Sequence, residues 1–138
     1  MKAKIVQIKG LKFEGTMENG ARTLFHVPDK GEEPEAPSPM GHVVLGLAGC
    51  TALDVVEILA KMRQKLRKLE VDIDYERAKK NPRVLTTVHL HFLARGLGLS
   101  EKKLARAIAL SQEKYCSVSA MLRKGGVRIS WDHQVAAT

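Results

Sequence analysis

Aromatic side chains are scarce in this chain, which has three Phe, two Tyr and one Trp. Surfaces that hold single-stranded nucleic acid stack its bases on such rings, and RNA-recognition modules carry them in series. The net charge of +8 suits an anionic partner but has no stacking platform beside it. The basic stretches KMRQKLRK (61–68) and ERAKKNPR (76–83) read more simply as solvated faces, the first placing cations where a helix C-terminus favours them. A nucleic-acid partner is not expected.

Cysteine is almost missing. Cys50 and Cys116 are the only two, too few for a disulfide framework, and they form no CxxC and no zinc spacing. In a reducing compartment such a pair is catalytic, redox-active or merely buried. Long apolar runs are also lacking. The longest, residues 43–53, falls short of the ~20 residues a membrane span needs, and Asp54 and Glu57 follow it. The opening MKAKIVQIKG alternates and is too short and polar for a signal peptide, so a cytoplasmic location without membrane attachment is expected. No glycine-rich phosphate loop, serine nucleophile elbow or zinc signature occurs, and no cofactor or metal is called for.

The 138 residues suffice for one domain with a core of its own. Residues 2–9 alternate weakly, as an edge strand does. LKFEGTMENGARTLFHV (11–27) is a hairpin, with Asn19-Gly20 supplying the positive φ that its turn needs. Residues 29–37 are a loop. Ser38 caps and Pro39 begins a long helix that is expected to run to about Arg67. Its first half is apolar on nearly all sides and so has to be covered on nearly all sides. Gly46 and Gly49 invite close approach of another backbone, and a second copy of the chain is the expected cover. LEVDIDYERA alternates strictly and VLTTVHLHFLA is a second long strand. Ser100 caps a helix over EKKLARAIALSQEKY, SVSAML is a short helix ended by Gly125-Gly126, and VRISWDHQV is the last strand. The fold class is α+β, in the order βββ-α-ββ-α-α-β, with antiparallel sheets expected.

Cys116 sits where a short helix begins, and the partial positive charge of a helix N-terminus favours a thiolate. Cys50 lies about three turns into its own helix, where a thiol is raised in pKa and inert unless a cation or polar pocket adjoins it. Taken alone, it reads as a small packed hydrophobe.

Together, SPMGHVVLGLAGCTALDVV and ARAIALSQEKYCSVSAML resemble the OsmC/Ohr family of thiol-dependent hydroperoxide reductases. The first resembles that family's Pro-containing helix start followed by Cys. The second resembles its Cys-x-x-Ser signature. The stretches SPM, GCTALDVVEIL, KMRQ and YCSVSAML resemble the YhfA-like branch. The resemblance implies a homodimer whose sheets enclose the long helices, organic hydroperoxide as substrate and an external thiol as reductant. It implies that Cys50 attacks the peroxide and Cys116 resolves the sulfenic acid to a disulfide. It also implies an arginine from the N-terminal strands beside the attacking thiolate, for which Arg22 is the candidate. The chain departs from the family where a Glu normally positions that arginine: Met40 stands there, followed by uncharged Gly41. This keeps open a non-catalytic module on the same fold, binding an apolar ligand or an anionic partner.

Other side chains carry less. His42, in the first turn of the long helix, reads as a solvated residue with nothing to fix its orientation, although it is near enough to help at moderate pH. His89 and His91 share a strand face but lack a third ligand, so surface or satisfied histidines are expected. His26 and His133 carry no signal. Asp54 and Glu57 are positioned to flank a pocket, although Glu57 more simply pairs with Lys61 one turn on.

Overall fold

The computed structural model describes residues 1–137. The chain divides into two compact units, Met1–Val43 and Val44–Thr138.

The first unit is an antiparallel sheet of β1 (Ala3–Lys9), β2 (Lys12–Met17) and β3 (Arg22–His26), in that order. Gly20 takes φ 88° in the β2–β3 turn, and Asn19 Oδ1 accepts the Ala21 N–H at 3.0 Å, so the Asn-Gly pair acts as its chemistry requires. β1 is exposed along its whole length, and its Ile5, Val6 and Ile8 lie open. A cavity of about 510 Å³ runs over one face of this sheet, past Ile5, Gly15, Met17, Arg22 and Phe25.

Helix α1 spans Pro39–Lys61, and Ser38 Oγ accepts the Gly41 N–H at 3.0 Å, as an N-cap does. The helix stops earlier than the sequence suggests. Arg63 adopts φ 59° and donates its N–H to Ala60 O at 3.0 Å, while Gln64 donates to Leu59 O at 2.9 Å. That pair of bonds is a Schellman motif, with arginine in the left-handed position glycine usually marks. The stretch from Lys65 then extends into a strand instead of continuing the helix. By length and composition α1 is long and apolar enough to cross a membrane, but its Leu47, Thr51, Val55 and Leu59 are buried within the fold. A Cβ at Gly46 or Gly49 would meet nothing within 4 Å. Among the described residues, then, no other part of the chain makes the close approach expected there.

The second unit contains a sheet of β4 (Lys65–Arg77), β5 (Leu85–Leu97) and β6 (Arg128–Ala136), with β5 central. The β4–β5 pair is antiparallel, as expected. The β5–β6 pair is parallel, correcting the expectation of antiparallel pairing throughout. Helix α2 (Glu101–Leu110), a π-helical turn (Ser111–Tyr115) and helix α3 (Ser117–Lys124) fill the connection, and a crossover of that length returns the chain in the direction it left. Val88, Leu90, Phe92 and Ala94 alternate inward from β5 and, like Leu104, Ala107 and Ile108 of α2, belong to the buried core. At the start of β5 the alternation slips. A register shift between Glu76 and Arg77 leaves Val84 exposed and Leu85 buried.

Candidate active site

Cys50 and Asp54 stand one turn apart on α1 and therefore share a face. Cys116 reaches them from the opposite direction. In the π-helical turn the Cys116 N–H bonds to Ser111 O, five residues back, at 2.8 Å. Cys116 is itself the N-cap of α3, its sulfur accepting the Ser119 N–H at 3.3 Å. The Cys50 Sγ, the Cys116 Sγ and an Asp54 carboxylate oxygen all lie within 4.8 Å of one another. Both thiols are free, Cys50 half-buried and Cys116 buried.

Polar side chains surround the second sulfur. Thr51 Oγ1 divides its single hydrogen between Leu47 O at 3.1 Å and Cys116 Sγ at 3.6 Å. Gln112 Nε2 donates to Thr51 Oγ1 at 2.8 Å. Gln112 Oε1 accepts from Ser119 Oγ at 3.1 Å and from Arg123 at 3.0 Å, and Arg123 also donates to Gln112 O at 2.7 Å. Ser111 Oγ donates to Asp54 Oδ2 at 2.8 Å, fixing the carboxylate. Thr51, Ser111 and Ser119 are fully buried and Gln112 nearly so. Buried polar groups persist where they are satisfied, and here they satisfy one another around a sulfur. The sequence reading missed this group; buried Ser and Gln one helical turn from Cys116 were its only trace.

The two thiols are biased in opposite directions. Burial pushes Cys50 above its ordinary value; its hydrogen bond to Cys116 and the Cys116 and Asp54 charges add to this, while the Val118 N–H opposes them. Burial also works to raise Cys116, but Ser119, Cys50 and Thr51 donate hydrogen bonds that outweigh it and hold Cys116 below the usual thiol range. The arrangement favours the thiolate at Cys116, with Cys50 as one of its hydrogen-bond donors. The N-terminal position of Cys116 on α3 and the mid-helix position of Cys50 carried both directions in advance.

A cavity of about 300 Å³ adjoins Asp54, lined by Glu57, Ile58, Lys61, Met62 and Tyr115. Asp54 and Glu57 thus do flank a pocket, and Tyr115 is part of its wall.

In the first unit, Arg22 opens β3 and is exposed. His42 is not a loose solvated residue, because three contacts fix it. Its Nδ1 donates to Ser38 O at 2.9 Å, its Nε2 accepts from Thr23 Oγ1 at 3.0 Å, and its ring stacks on Phe25 with centroids 4.0 Å apart. His26 is 4% exposed. Its Nδ1 accepts the Glu35 N–H and its Nε2 donates to Glu32, each at 3.0 Å, so it pins the loop after β3.

On the outer face of the second sheet, Asp132 Oδ1 accepts from His89 Nε2 at 3.0 Å and from His91 Nδ1 at 2.7 Å. Ser130 Oγ donates to His89 Nδ1 at 2.7 Å. The pair is therefore satisfied, and His91 and His89 hold the Asp132 carboxyl below its usual range.

The family model described as OsmC-like protein matches residues 30–132. Protein YhfA of Escherichia coli K12 is 41% identical over 137 residues, covering 99% of each chain. The crystal structure of an OsmC-like protein from Mycoplasma pneumoniae superposes with a TM-score of 0.82 at 14% identity, over 98% of this chain and 96% of that one. The organic hydroperoxide resistance protein OhrB of Bacillus subtilis superposes with a TM-score of 0.62 at 14% identity, over 97% and 98%. With the strand and helix order above, these findings make the chain a member of the OsmC-like family.

Proposed function

We propose that the chain is a thiol-dependent peroxidase that reduces organic hydroperoxides through Cys50 and Cys116. One observation carries the reading: two free sulfurs, far apart in sequence, lie within 4.8 Å of each other, one half-buried and the other buried. The name of the similar OhrB protein, organic hydroperoxide resistance, supports the choice of substrate.

The proton shared by the pair sets the sequence of steps. Cys50 passes its proton to Cys116 and attacks the peroxide; the O–O bond breaks, Cys50 becomes a sulfenic acid and an alkoxide leaves. Cys116 protonates that alkoxide to the alcohol and is again a thiolate. It attacks the Cys50 sulfur, the S–O bond breaks, hydroxide leaves, and a disulfide remains for an external thiol to reduce. Cys50 is assigned the attack by the family resemblance, and its being the less buried of the two thiols supports this. Arg22 is the arginine that the family resemblance assigns to catalysis, and Met40 stands where the family has the Glu that would orient it, so turnover is slow.

In this reading the chain is a single OsmC-like domain and its working unit is a cytoplasmic homodimer. Leu45, Leu53 and Val56 of α1 are exposed, as are Ile5 and Met17 of the first sheet. Apolar faces of this extent are ordinarily covered. Light scattering is expected to give twice the chain mass, and Leu53→Glu to reduce it to that of one chain.

The decisive experiment is consumption of cumene hydroperoxide in the presence of a dithiol. Wild type turns over, Cys50→Ser does not, and peroxide-treated wild type contains a Cys50–Cys116 disulfide by mass spectrometry. Equal, slow loss of peroxide with wild type and Cys50→Ser would overturn the reading in favour of a binding module.

A further inference from the structure

We infer that Cys50, Cys116 and Asp54 form a three-ligand site for a thiophilic divalent cation of the zinc type, with the fourth position open to water. The inference concerns the same side chains as the proposed peroxidase. It rests on that reading only where it says that bound metal and peroxide compete.

The three ligand atoms lie within 4.8 Å of one another. Tetrahedral zinc, with bonds of about 2.3 Å to sulfur and 2.0–2.2 Å to oxygen, holds its ligand atoms roughly 3.5–3.8 Å apart. The side chains therefore need only a small inward adjustment. Two thiolates and a carboxylate are a chemically apt set for zinc, and three protein ligands leave the open position of a reactive rather than a structural site.

The surroundings match what supports a ligand set. Ser111 Oγ holds one Asp54 oxygen at 2.8 Å, leaving the other free. The Ser119 N–H and the Thr51 hydroxyl point at the Cys116 sulfur. Groups of this kind orient metal ligands and tune their basicity. The charges favour a cation as well. Fully ionised, the three groups would repel one another, and the arginine of the network, Arg123, is committed to Gln112. A divalent cation removes that repulsion, releasing thiol protons as it binds.

The other compact ligand group, His26, Glu32 and Glu35, shows what disqualifies a cluster. Its imidazole accepts an N–H at Nδ1, so the neutral ring carries its proton on Nε2, where Glu32 receives it. A metal at Nε2 would require an imidazolate. No such obstacle stands at the cysteines, since a thiolate sulfur keeps lone pairs after accepting two hydrogen bonds.

The test titrates Co²⁺ into the untagged, fully reduced chain at neutral pH and then displaces it with Zn²⁺. One metal per chain is expected, with thiolate-to-cobalt charge-transfer absorption that zinc abolishes. Cys50→Ser and Cys116→Ser should each weaken binding at least tenfold, and Asp54→Asn should weaken it while retaining the sulfur band. Wild type oxidised to the disulfide should bind none, a control that depends on no substitution. Absence of the band in reduced wild type would overturn the inference, as would a band that survives oxidation or an affinity left unchanged by Cys116→Ser. Because none of these readouts uses peroxide, the metal site and the peroxidase reading fail separately. If both hold, zinc at saturation abolishes peroxide turnover and a chelator restores it.

Discussion

The Thr51 hydroxyl lies 3.6 Å from the Cys116 sulfur, and that contact joins a residue in the middle of α1 to the cap of α3. Removing it should be visible in how Cys116 ionises. Thr51→Val eliminates a donor to the thiolate, and a hydrogen bond to a charged group contributes about 1.5–3 kcal/mol. This one is long and its hydrogen is shared with Leu47 O, so a modest upward move in the Cys116 titration is expected. The rate of iodoacetamide alkylation at Cys116, followed against pH by peptide mass spectrometry, measures it. An unchanged profile would mean that Ser119 and Cys50 alone set the thiolate.

The ionisation of Cys116 also links stability to pH. Its value in the folded chain is lowered, so the thiolate stabilises the fold fully above the ordinary thiol value of 9.0, and that contribution is lost as pH falls through the lowered value. Cys50 is raised, and its contribution runs the other way, present below 9.0 and lost as pH rises through the raised value. Cys50→Ala should reduce the stabilisation on raising pH towards 9.0 without abolishing it, because one of the donors to Cys116 is gone, and should remove the loss above 9.0. Urea midpoints across this range would show the change.

Gln112 receives or gives every link between Thr51, Ser119 and Arg123. Gln112→Leu keeps the bulk and orphans those partners inside the protein. An unsatisfied buried polar group costs about 1–3 kcal/mol. A loss on the order of 3 kcal/mol in urea denaturation is therefore expected, together with faster alkylation of Cys116 as the π-helical turn loosens.

Arg63 occupies a left-handed backbone position at the end of α1, where a side chain costs roughly 1–2 kcal/mol relative to glycine. Part of this is returned because glycine is freer in the unfolded chain. Arg63→Gly is expected to stabilise the fold by about 0.5–1 kcal/mol with no change in cysteine reactivity. A fall in the urea midpoint would show that the arginine side chain itself holds the turn.

Asp132 lies between two imidazoles, and its carboxyl is held down first by the His91 hydrogen bond and then by that of His89. The carboxylate form is favoured in the folded chain. That contribution is present above the ordinary value of 3.8 and lost as pH falls through the lowered one. Carboxyl carbon shifts in NMR should show Asp132 titrating below 3.8 in wild type and returning towards it in His91→Ala.

Local chemistry made much of the fold legible. Asn19-Gly20, Ser38, Ser100 and Gly125-Gly126 each mark a turn or cap through interactions spanning only a few residues. Ser100 Oγ does accept the Lys103 N–H, at 3.2 Å. The alternation of VLTTVHLHFLA marked a strand because a strand's side chains have a period of two, while which face turns inward was left to the structure. Where the local signal was misleading, the end of α1 shows why. KMRQKLRK suits a helix by composition, and nothing in it marks Arg63 for a left-handed turn. The long strand beyond Lys65 forms because β5 is there to pair with it.

The amino-acid sequence by itself determined the order of elements, the two cysteines and their opposite local settings, one in mid-helix and one at a helix cap. It also carried enough resemblance to identify the family. Only the tertiary structure decided that β6 runs parallel to β5, that Phe25 and Thr23 hold His42, and that Asp54 joins the two sulfurs while Gln112 organises the polar groups behind them. The physical reason is range. Caps and periodicities act within one or two turns of backbone, whereas the meeting of Cys50 with Cys116 depends on a crossover through two helices and on a core that closes only when all its parts are in place.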